Sequence, residues 1–586
     1  MPICPPGGVG GGPRIGRVAK ALPRNSELAD QLELLADVSE LLGEAGFRVL
    51  AYRRAGRLVR ESPTSIAELA LEGKAKELPG IGATIEQKIV EVVEDGEMHA
   101  LAKRRGQVPE GVVSFLRLPG LGPKTAARIW QELNVTTLEE LKAAAEAQQL
   151  RTLSGLGARS EEKILKALAA DTKAEGPKRE LLGQGLAALR AVVDELRAHP
   201  AAVEVSEAGS ARRRRETFRD LDVIATATDA PALIDHFVGL PWVAEVAAKG
   251  DTKATVVFND GIRVDLRVVP PECFGNLLQH FTGSKEHNVA LREDAVRRGL
   301  SISEYGVTTV ETGEVATFAT EAELYAHLGY AYIPPELREN RGELQAARNG
   351  GLPALVEVAD LKGDLHSHST WSSDGKDTIE AMAEAAIARG YEFLAMTDHS
   401  HYLREGRHER QAEEIAALNE RLAPFRILRG VEVNIRADGT LDVADETLAG
   451  LDWVIASLHQ AFDREPTERL LAAIDNPHVD CIGHPTARKL NKRPGADVDV
   501  ERVVERSLAT GTALEINSQP DRLDLRDTHA RLAGEAGAWL CVDTDAHEVR
   551  ALGWAELGVA QARRAWLTKD RILNTRSWSE IERLRA

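Results

Sequence analysis

Between residues 25 and 170, apolar positions recur at helical spacing in segments rich in Ala, Leu, Glu and Lys, and short Pro-Gly or Ser-Gly turns interrupt them. The pattern predicts an all-helical region. From about residue 180 a helix within GPKRELLGQGLAALRAVVDELRAHP leads into β-branched runs at VEVSEAGS, LDVIATAT, ATVVF and IRVDLRVVP, the last two flanking the hairpin signal Asn259-Asp260-Gly261. A small antiparallel sheet is expected there. Residues 331–354 hold paired prolines, dense charge and paired glycines, which read as an ordered turn followed by an interdomain linker. From about 355 to the end, short apolar strands that finish in His or acidic residues alternate with Ala-rich helices, as in LKGDLHSHS, FLAMTDHS, RILRGVEVN, WVIASLHQ, CIGHPT, ALEINS and WLCVDTDAH. That alternation is barrel-like α/β.

A chain of 586 residues is too long for one core, so roughly three to five domains are expected at about 100–200 residues each. No uncharged apolar stretch approaches the roughly 18–20 residues needed to cross a bilayer, which excludes a membrane protein. The opening MPICPPGGVGGGP has neither a charged n-region nor an apolar h-region, and reads as a floppy tail or an early start rather than a secretion signal, with a cytoplasmic protein expected. Four scattered cysteines without a CxxC pair suit a reducing compartment and exclude a thiolate zinc site, so any metal must use His and carboxylates. The net charge of −18 argues against a protein that merely coats nucleic acid, yet it hides a strong local contrast. Residues 212–215 read RRRR, whereas residues 355–400 carry three basic residues against nine acidic ones.

Three segments repeat one design: Leu78-Pro79-Gly80-Ile81-Gly82, Leu118-Pro119-Gly120-Leu121-Gly122 and Leu153-Ser154-Gly155-Leu156-Gly157. Glycines on either side of an apolar residue allow a tight turn whose backbone N–H groups open the next helix and face a phosphate. Such turns also simply join packed helices, but three copies, each trailed by Lys or Arg, favour sequence-independent DNA binding, and the motif resembles a helix-hairpin-helix. The string GLGPKT lacks the spacer of a phosphate loop, which excludes a nucleoside triphosphatase. Lys88, in the helix after the first copy, reads either as another phosphate contact or as a Schiff-base amine.

In GSARRRRETFRDLD, Asp220 and Asp222 stand two apart at a strand start, so both carboxylates project from one face and can share a divalent metal. Asp265 sits among apolar neighbours in RVDLRVV, where an unpaired charge is costly without cations. Three carboxylates suit a two-metal nucleotidyl-transfer site with ions about 3.5–4 Å apart, and Gly209, Ser210 and Arg213 offer donors for a triphosphate. The plain alternative is a solvated strand beside a basic loop. Together with VDLRVVP and HFTGSKEHNVALREDAVRRGLSISEYG, the segment resembles a family X DNA polymerase, the group containing polymerase beta, over roughly residues 25–340. That resemblance implies that Asp220, Asp222 and Asp265 form the metal-binding catalytic triad and that Ser210 and Arg213 contact the incoming triphosphate. It also places His280, Phe281, Gly283, Asn288 and Arg292 at sugar, base and template contacts. His280 stands where animal members have tyrosine, Lys285 where they have aspartate, and Thr84 replaces a lysine beside Lys88, which the resemblance places on a deoxyribose-phosphate lyase amine.

Residues 355–586 gather His366, His368, Asp374, His399, Glu432, His459, His484, Asp545 and His547, nearly all at predicted strand ends, which converge in a barrel. Nine donors exceed what one zinc ion needs and imply two or three metals. The pattern resembles the PHP (polymerase and histidinol phosphatase) domain, a distorted (β/α)7 barrel that bacterial family X polymerases carry C-terminally. By that resemblance His366, His368, Glu432 and Asp545 form one metal site, Glu432, His459 and His484 a second, and Asp374, His399 and His547 a third, with phosphoester hydrolysis as the reaction. The family usually has five steps from its second histidine to the motif aspartate, and this chain has six, from His368 to Asp374. Arg488 and Asn517 are candidates for orienting substrate.

These readings give a multidomain α+β and α/β protein: a tail at 1–24, helical DNA-binding domains at 25–105 and 106–178, a nucleotidyltransferase palm at 179–270, a thumb at 271–335, a linker at 336–354 and a PHP barrel at 355–586. The expected function is gap-filling DNA repair synthesis under Mg2+ or Mn2+, joined to 3′-5′ exonuclease or 3′-phosphatase activity under two or three Mn2+ or Zn2+ ions. The expected partners are gapped or nicked DNA and deoxynucleoside triphosphates, with a monomer expected. The alternatives are a DNA-end-binding scaffold with structural metals and a small-molecule phosphatase tethered to a DNA clamp.

Overall fold

The computed structural model describes residues 22–585 apart from 24, 45, 63, 79, 117, 119–120, 154–155 and 170–178. The expected tail up to residue 21, Gly120 and Gly155 therefore lie outside the described residues. The chain divides into two compact units, residues 1–176 and 177–586.

The first unit is helical throughout its described residues, from Asn25–Leu41 to Ala158–Ala169. One apolar core runs from Leu28 through Ile89, Phe115 and Leu141 to Ile164, so the two helical domains expected on either side of residue 105 share a single interior. Local capping fixes the helix starts. Thr137 and Glu140 form a reciprocal capping box, and the Asn25 side chain accepts from the Ile66 N–H at 2.9 Å while donating to the Thr64 carbonyl at 2.6 Å.

The second unit opens with a short antiparallel pair, β1 (Glu180–Leu181) with β3 (Thr217–Phe218). Beside it lies a five-stranded sheet made of β2 (Ala202–Ala208), β4 (Asp220–Ala227), β5 (Val243–Lys249), β6 (Lys253–Phe258) and β7 (Arg263–Val269), in the order β2-β4-β7-β6-β5. The expected hairpin joins β6 to β7, with Gly261 at φ +86°. The sheet is not wholly antiparallel as expected: β4 and β7 run parallel, because the helix Ala230–Val238 and the strands β5 and β6 intervene between them. A three-stranded antiparallel sheet follows, β8 (Leu300–Ser303), β9 (Gly306–Thr309) and β10 (Val315–Ala316), packed with the helices Phe274–Thr282, Lys285–Arg297 and Glu321–His327. Residues 336–354 differ from a free linker. Arg338 is fully buried, the segment carries the helix Glu343–Asn349, and buried Glu343 accepts from His287 Nδ1 at 2.7 Å. A buried His–Glu pair needs a partner from each side, so this segment is packed against the preceding helices.

The last region is a barrel of seven parallel strands in sequence order: β11 (Gly363–Ser367), β12 (Phe393–Met396), β13 (Arg426–Asn434), β14 (Trp453–Ser457), β15 (Cys481–Gly483), β16 (Ala513–Asn517) and β17 (Leu540–Asp543). It nearly closes, since Asp543 Oδ1 accepts from the Leu365 N–H at 2.8 Å and the Ala546 carbonyl accepts from the His368 N–H at 2.8 Å. Alternation divides the strand residues between two cores. Leu365, Phe393, Leu428, Trp453, Ile455, Ala513 and Cys541 form one cluster with Trp578 and Ile581, and Leu394, Ile427, Val454, Ile482, Leu514 and Val542 pack with the helices. Polar donors are thereby left at the C-terminal strand ends. No helix among the described residues is long and apolar enough to cross a membrane.

Candidate functional site

In the helical unit the three repeated turns share one geometry. The apolar residue between the glycines is buried at Ile81, Leu121 and Leu156, and its N–H donates to the carbonyl of Leu78, Leu118 and Leu153 at 3.0, 3.1 and 3.0 Å. Gly82, Gly122 and Gly157 then stand before the helices Ala83–Asp95, Pro123–Leu133 and Ala158–Ala169, and a side chain at any of the three would meet nothing within 4 Å. The helix N-termini are therefore open to an anion. Gly80 is at φ +100°, and a Cβ there would come within 2.3 Å of Leu58. The first and third copies share a buried acidic brace that the sequence reading missed: Glu86 accepts from the Lys76 N–H at 2.9 Å, and Glu161 from the Arg151 N–H at 3.0 Å. The equal spacing of those pairs was the available signal. Lys88 lies half-buried on the helix Ala83–Asp95.

In the five-stranded sheet the parallel register sets Asp222 directly beside Asp265, with Asp220 two residues earlier on the same strand. Burial, reinforced by the charges of Asp220 and Asp265, pushes the Asp222 carboxyl up to about 7. The charges of Arg267 and Arg213 offset this only in part, and divalent cations would supply the remaining positive charge. Thr255 donates its hydroxyl to Asp265, and Arg263 Nε lies 3.8 Å from the same carboxylate. Gly209 packs its backbone on Asp222. Ser210 follows in the short helix Gly209–Arg212. Arg213, expected at a triphosphate, here spends its guanidinium on Glu339 at 3.1 Å and on the Thr282 carbonyl at 2.7 Å. Arg292 donates to His280 Nδ1 at 2.9 Å, and Asn288 donates to the His280 carbonyl at 2.7 Å. The Phe281 ring lies 4.3 Å under the Arg267 guanidinium. A Cβ on Gly283 would crowd Asn288 Oδ1 at 2.7 Å, so this cluster leaves no room there for a side chain.

The barrel brings all nine of its predicted donors together. Glu432 is 1% exposed and its two oxygens face different partners: Oε1 lies 3.1 Å from both His459 Nε2 and His484 Nε2, while Oε2 lies 2.8 Å from His399 Nδ1, 3.6 Å from His366 Nε2 and 3.7 Å from His368 Nε2. Asp545 Oδ1 lies 3.3 Å from His368 Nε2 and 3.7 Å from His366 Nε2. Asp374 Oδ2 lies 3.3 Å from both His399 Nε2 and His547 Nε2, so the longer spacing after His368 still delivers this carboxylate to the two imidazoles. Loop flexibility at Ser372-Ser373 is not needed for this, because Asp398 accepts the Ser369 and Ser372 N–H groups at 2.8 and 3.1 Å and pins the turn.

The chemistry of the donors fits metal ions. His366 Nε2, both nitrogens of His368, His399 Nδ1 and both oxygens of Glu432 are buried without a hydrogen-bond partner, a state costly for polar atoms unless something else binds them. Burial, then the cationic His547, lowers His368 to about 3, which leaves it a neutral imidazole with a lone pair. Burial alone would lower His399 as well, but the Glu432 and Asp374 carboxylates reverse this and raise it to about 10. The cluster thus draws in positive charge. Supporting residues orient the donors: His366 Nδ1 donates to Glu515 at 2.6 Å, His459 Nδ1 to Asn434 Oδ1 at 2.7 Å, and Asn517 Nδ2 bridges Glu515 and Asp545 at 3.1 Å each. Glu515 and Asn434 were missed, although each stands two residues from a residue already singled out, Asn517 and Glu432, and so shares its strand face.

A cavity of about 230 Å³ over the cluster is lined by Asp374, Glu432, His484, Asp545, Lys489 and Arg522, among others. Its lysine and arginine lining residues are Lys489, 3.2 Å from Asp521, and Arg522, 3.7 Å from Asp545. Arg488, expected to orient substrate, is instead buried outside the cavity lining, 2.6 Å from Glu216 of the preceding sheet region.

With this geometry established, the chain is 43% identical over 563 residues to the DNA polymerase/3′-5′ exonuclease PolX of Bacillus subtilis strain 168, covering 94% of this chain and 97% of that protein. The chain belongs to the PolX family. The DNA polymerase beta thumb model matches residues 277–339, a helix-hairpin-helix domain residues 23–98, a SAM-like helix-hairpin-helix tandem residues 113–170 and the PHP domain residues 364–519. In this chain, then, the helix-hairpin-helix and thumb matches precede the PHP match. The chain is also 32% identical over 225 residues to a probable phosphatase of Thermoanaerobacter sp. strain X514, covering 36% of this chain and 89% of that protein. A probable phosphatase of Caldanaerobacter subterraneus is 31% identical over the same length, covering 86% of that protein. Asp545 and His547 lie beyond the PHP match, and the fold brings them to His368 and Asp374 as the sequence reading expected.

Proposed function

We propose that this chain, a DNA polymerase with a phosphoester-hydrolysing PHP domain, fills short gaps in duplex DNA and trims 3′ ends before or between extensions. The observation that carries the reading is the pairing of two separate sites in one chain: the Asp222–Asp265 register in the sheet and the convergence of nine donors on the barrel mouth. Asp220, Asp222 and Asp265 would hold magnesium or manganese; His366, His368, Glu432 and Asp545, then Glu432, His459 and His484, then Asp374, His399 and His547 would hold two or three manganese or zinc ions. Bound there, such ions lower the pKa of a hydroxyl or water nucleophile and neutralise charge on the phosphate.

The protein's own groups supply the rest. Ser210, beside the Gly209 backbone that packs on Asp222, receives the triphosphate, and His280, Phe281 and Asn288 form the wall against which sugar and base settle. The primer 3′-hydroxyl attacks the α-phosphate and pyrophosphate leaves. In the barrel, Lys489 and Arg522 hold the phosphodiester in the cavity, and Glu515 keeps His366 in the tautomer whose Nε2 faces Glu432. The helical turns grip backbone phosphates on either side of the gap, so binding is independent of sequence and weakens with salt.

The test is a gapped duplex with a labelled primer and manganese, with and without deoxynucleotides. Extension lost only in Asp265→Ala and shortening lost only in His366→Ala is the expected result. A wild-type chain that binds the duplex yet neither extends nor shortens it overturns the enzymatic reading in favour of a scaffold. The near-complete cover of the probable phosphatases favours a second substrate for the barrel, a primer ending in 3′-phosphate, and release of inorganic phosphate from such a primer separates that activity from exonuclease.

A further inference from the structure

The loop that carries Gly209, Ser210 and Arg213 is anchored from outside the polymerase half. Arg564, on the barrel helix Ala555–Arg564, has a side chain only 1% exposed and donates Nη1 to the Arg213 carbonyl at 2.7 Å. The same nitrogen lies 3.0 Å from Glu339 Oε1, the very oxygen that Arg213 Nε reaches at 3.1 Å. Its other nitrogen donates to Asp527 Oδ2 at 2.7 Å, which Arg341 also reaches at 2.9 Å. At the far end of the loop, Glu216 Oε1 accepts from Arg488 Nη2 at 2.6 Å and from Gln561 Nε2 at 2.9 Å, both from the barrel. Arg488 also donates to the Leu523 carbonyl, and Leu523 and Leu557 join the apolar core of the sheet.

We propose that Arg564 and Arg488 are positioning residues for nucleotide binding: the barrel clamps residues 213–216 so that Gly209 and Ser210 stay pressed against Asp222. The inference rests on reading that sheet as the polymerase site. Two features favour a positioning role over simple glue. Arg564 bonds a backbone carbonyl of the loop itself, and by sharing Glu339 with Arg213 it fixes the carboxylate on which the Arg213 guanidinium rests. A planar fork with several donors is needed to meet a carbonyl and two carboxylates at once, which a lysine ammonium does poorly. The stretch 520–527 links the two sites physically, because it carries Arg522 at the barrel cavity, Leu523 in the sheet core and Asp527 in the ionic seam.

Steady-state gap filling by the full chain tests this, comparing Arg564→Ala, Arg564→Lys and Arg488→Ala with Glu556→Gln, which loosens the Arg190–Glu556 contact of the same interface without touching the loop. The expected result is a KM for deoxynucleotide raised about tenfold in Arg564→Ala, corresponding to the loss of about 1.4 kcal/mol of binding. The value of kcat should change far less, Arg564→Lys should recover part of the loss, and Glu556→Gln should match wild type. Primer shortening by the barrel should persist in every variant. A KM equal to wild type in Arg564→Ala overturns the clamp. So does a matching fall of both activities with a lowered melting temperature in Arg564→Ala and Arg488→Ala, which would mark the arginines as structural only. If the unaltered chain incorporates no nucleotide at all, it is the polymerase reading that fails, and the clamp falls with it.

Discussion

Replacing Gly209 with alanine should disable synthesis while sparing the barrel. Gly209 has φ +64°, and a Cβ built there lies 2.1 Å from Asp222 Oδ2 and 3.0 Å from its Cγ, where ordinary contact begins near 3.4 Å. The backbone of β4 cannot retreat, because Asp222 is locked in register between Ala208 on one side and Asp265 on the other. The carboxylate itself must move by about 1 Å, and a displacement of that size at a reacting group costs on the order of 10²-fold in rate. The left-handed conformation adds about 1–2 kcal/mol of local strain for any residue with a Cβ. The assay is single-nucleotide gap filling on a labelled primer at saturating deoxynucleotide, with primer shortening by the same preparation as the measure of intact folding. Extension within about threefold of wild type, with shortening intact, would refute the reasoning that Asp222 must stand where Gly209 leaves room for it.

Three further outcomes follow from the same structure. Glu515→Gln removes the anion that orients His366, and the metal concentration needed for half-maximal shortening should rise about 10–100-fold while extension is unchanged; an unshifted metal titration would count against the assigned role. Glu321 is buried, which alone would raise its pKa, but the guanidinium groups of Arg338 and Arg212 bring it down to about 2. A folded value below the unfolded 4.5 means that its contribution, about 3 kcal/mol at most, is present above pH 4.5 and lost as pH falls toward 2. Thermal unfolding from pH 6 to 3 should therefore fall more steeply in wild type than in Glu321→Gln, and parallel curves would refute the assignment. Gly122→Glu sets a carboxylate before the helix Pro123–Leu133 at a position with φ −77° and open space, so folding should persist while affinity for gapped duplex drops about tenfold. Unchanged affinity would remove that turn from the DNA interface.

What the sequence revealed and what it hid divide along one physical line. Short apolar runs ending in His or acidic residues, alternating with Ala-rich helices, exposed the seven barrel strands and their nine donors, because a strand end fixes where its side chain points whatever lies elsewhere in the chain. The repeated LPGIG-type turns were legible for the same reason, since burial of Ile81, Leu121 and Leu156 is decided within five residues. The parallel pairing of β4 with β7 was not legible, because strand direction depends on the long connection between them, and the hairpin signal at Asn259-Asp260-Gly261 spoke only for β6 and β7. Arg488 and Arg213 mark the limit most clearly. Each stands beside a motif that assigns it to a phosphate, yet each side chain is claimed by a carboxylate far away in sequence, Glu216 and Glu339. An arginine reaches across about a full strand spacing, so its neighbours in sequence constrain its position but not its partner. The charges along residues 336–341, which read as part of a linker, instead form with Arg564 the buried seam joining synthesis to hydrolysis. An ionic contact of that kind belongs to the assembled domains, and only the folded chain brings its halves within reach.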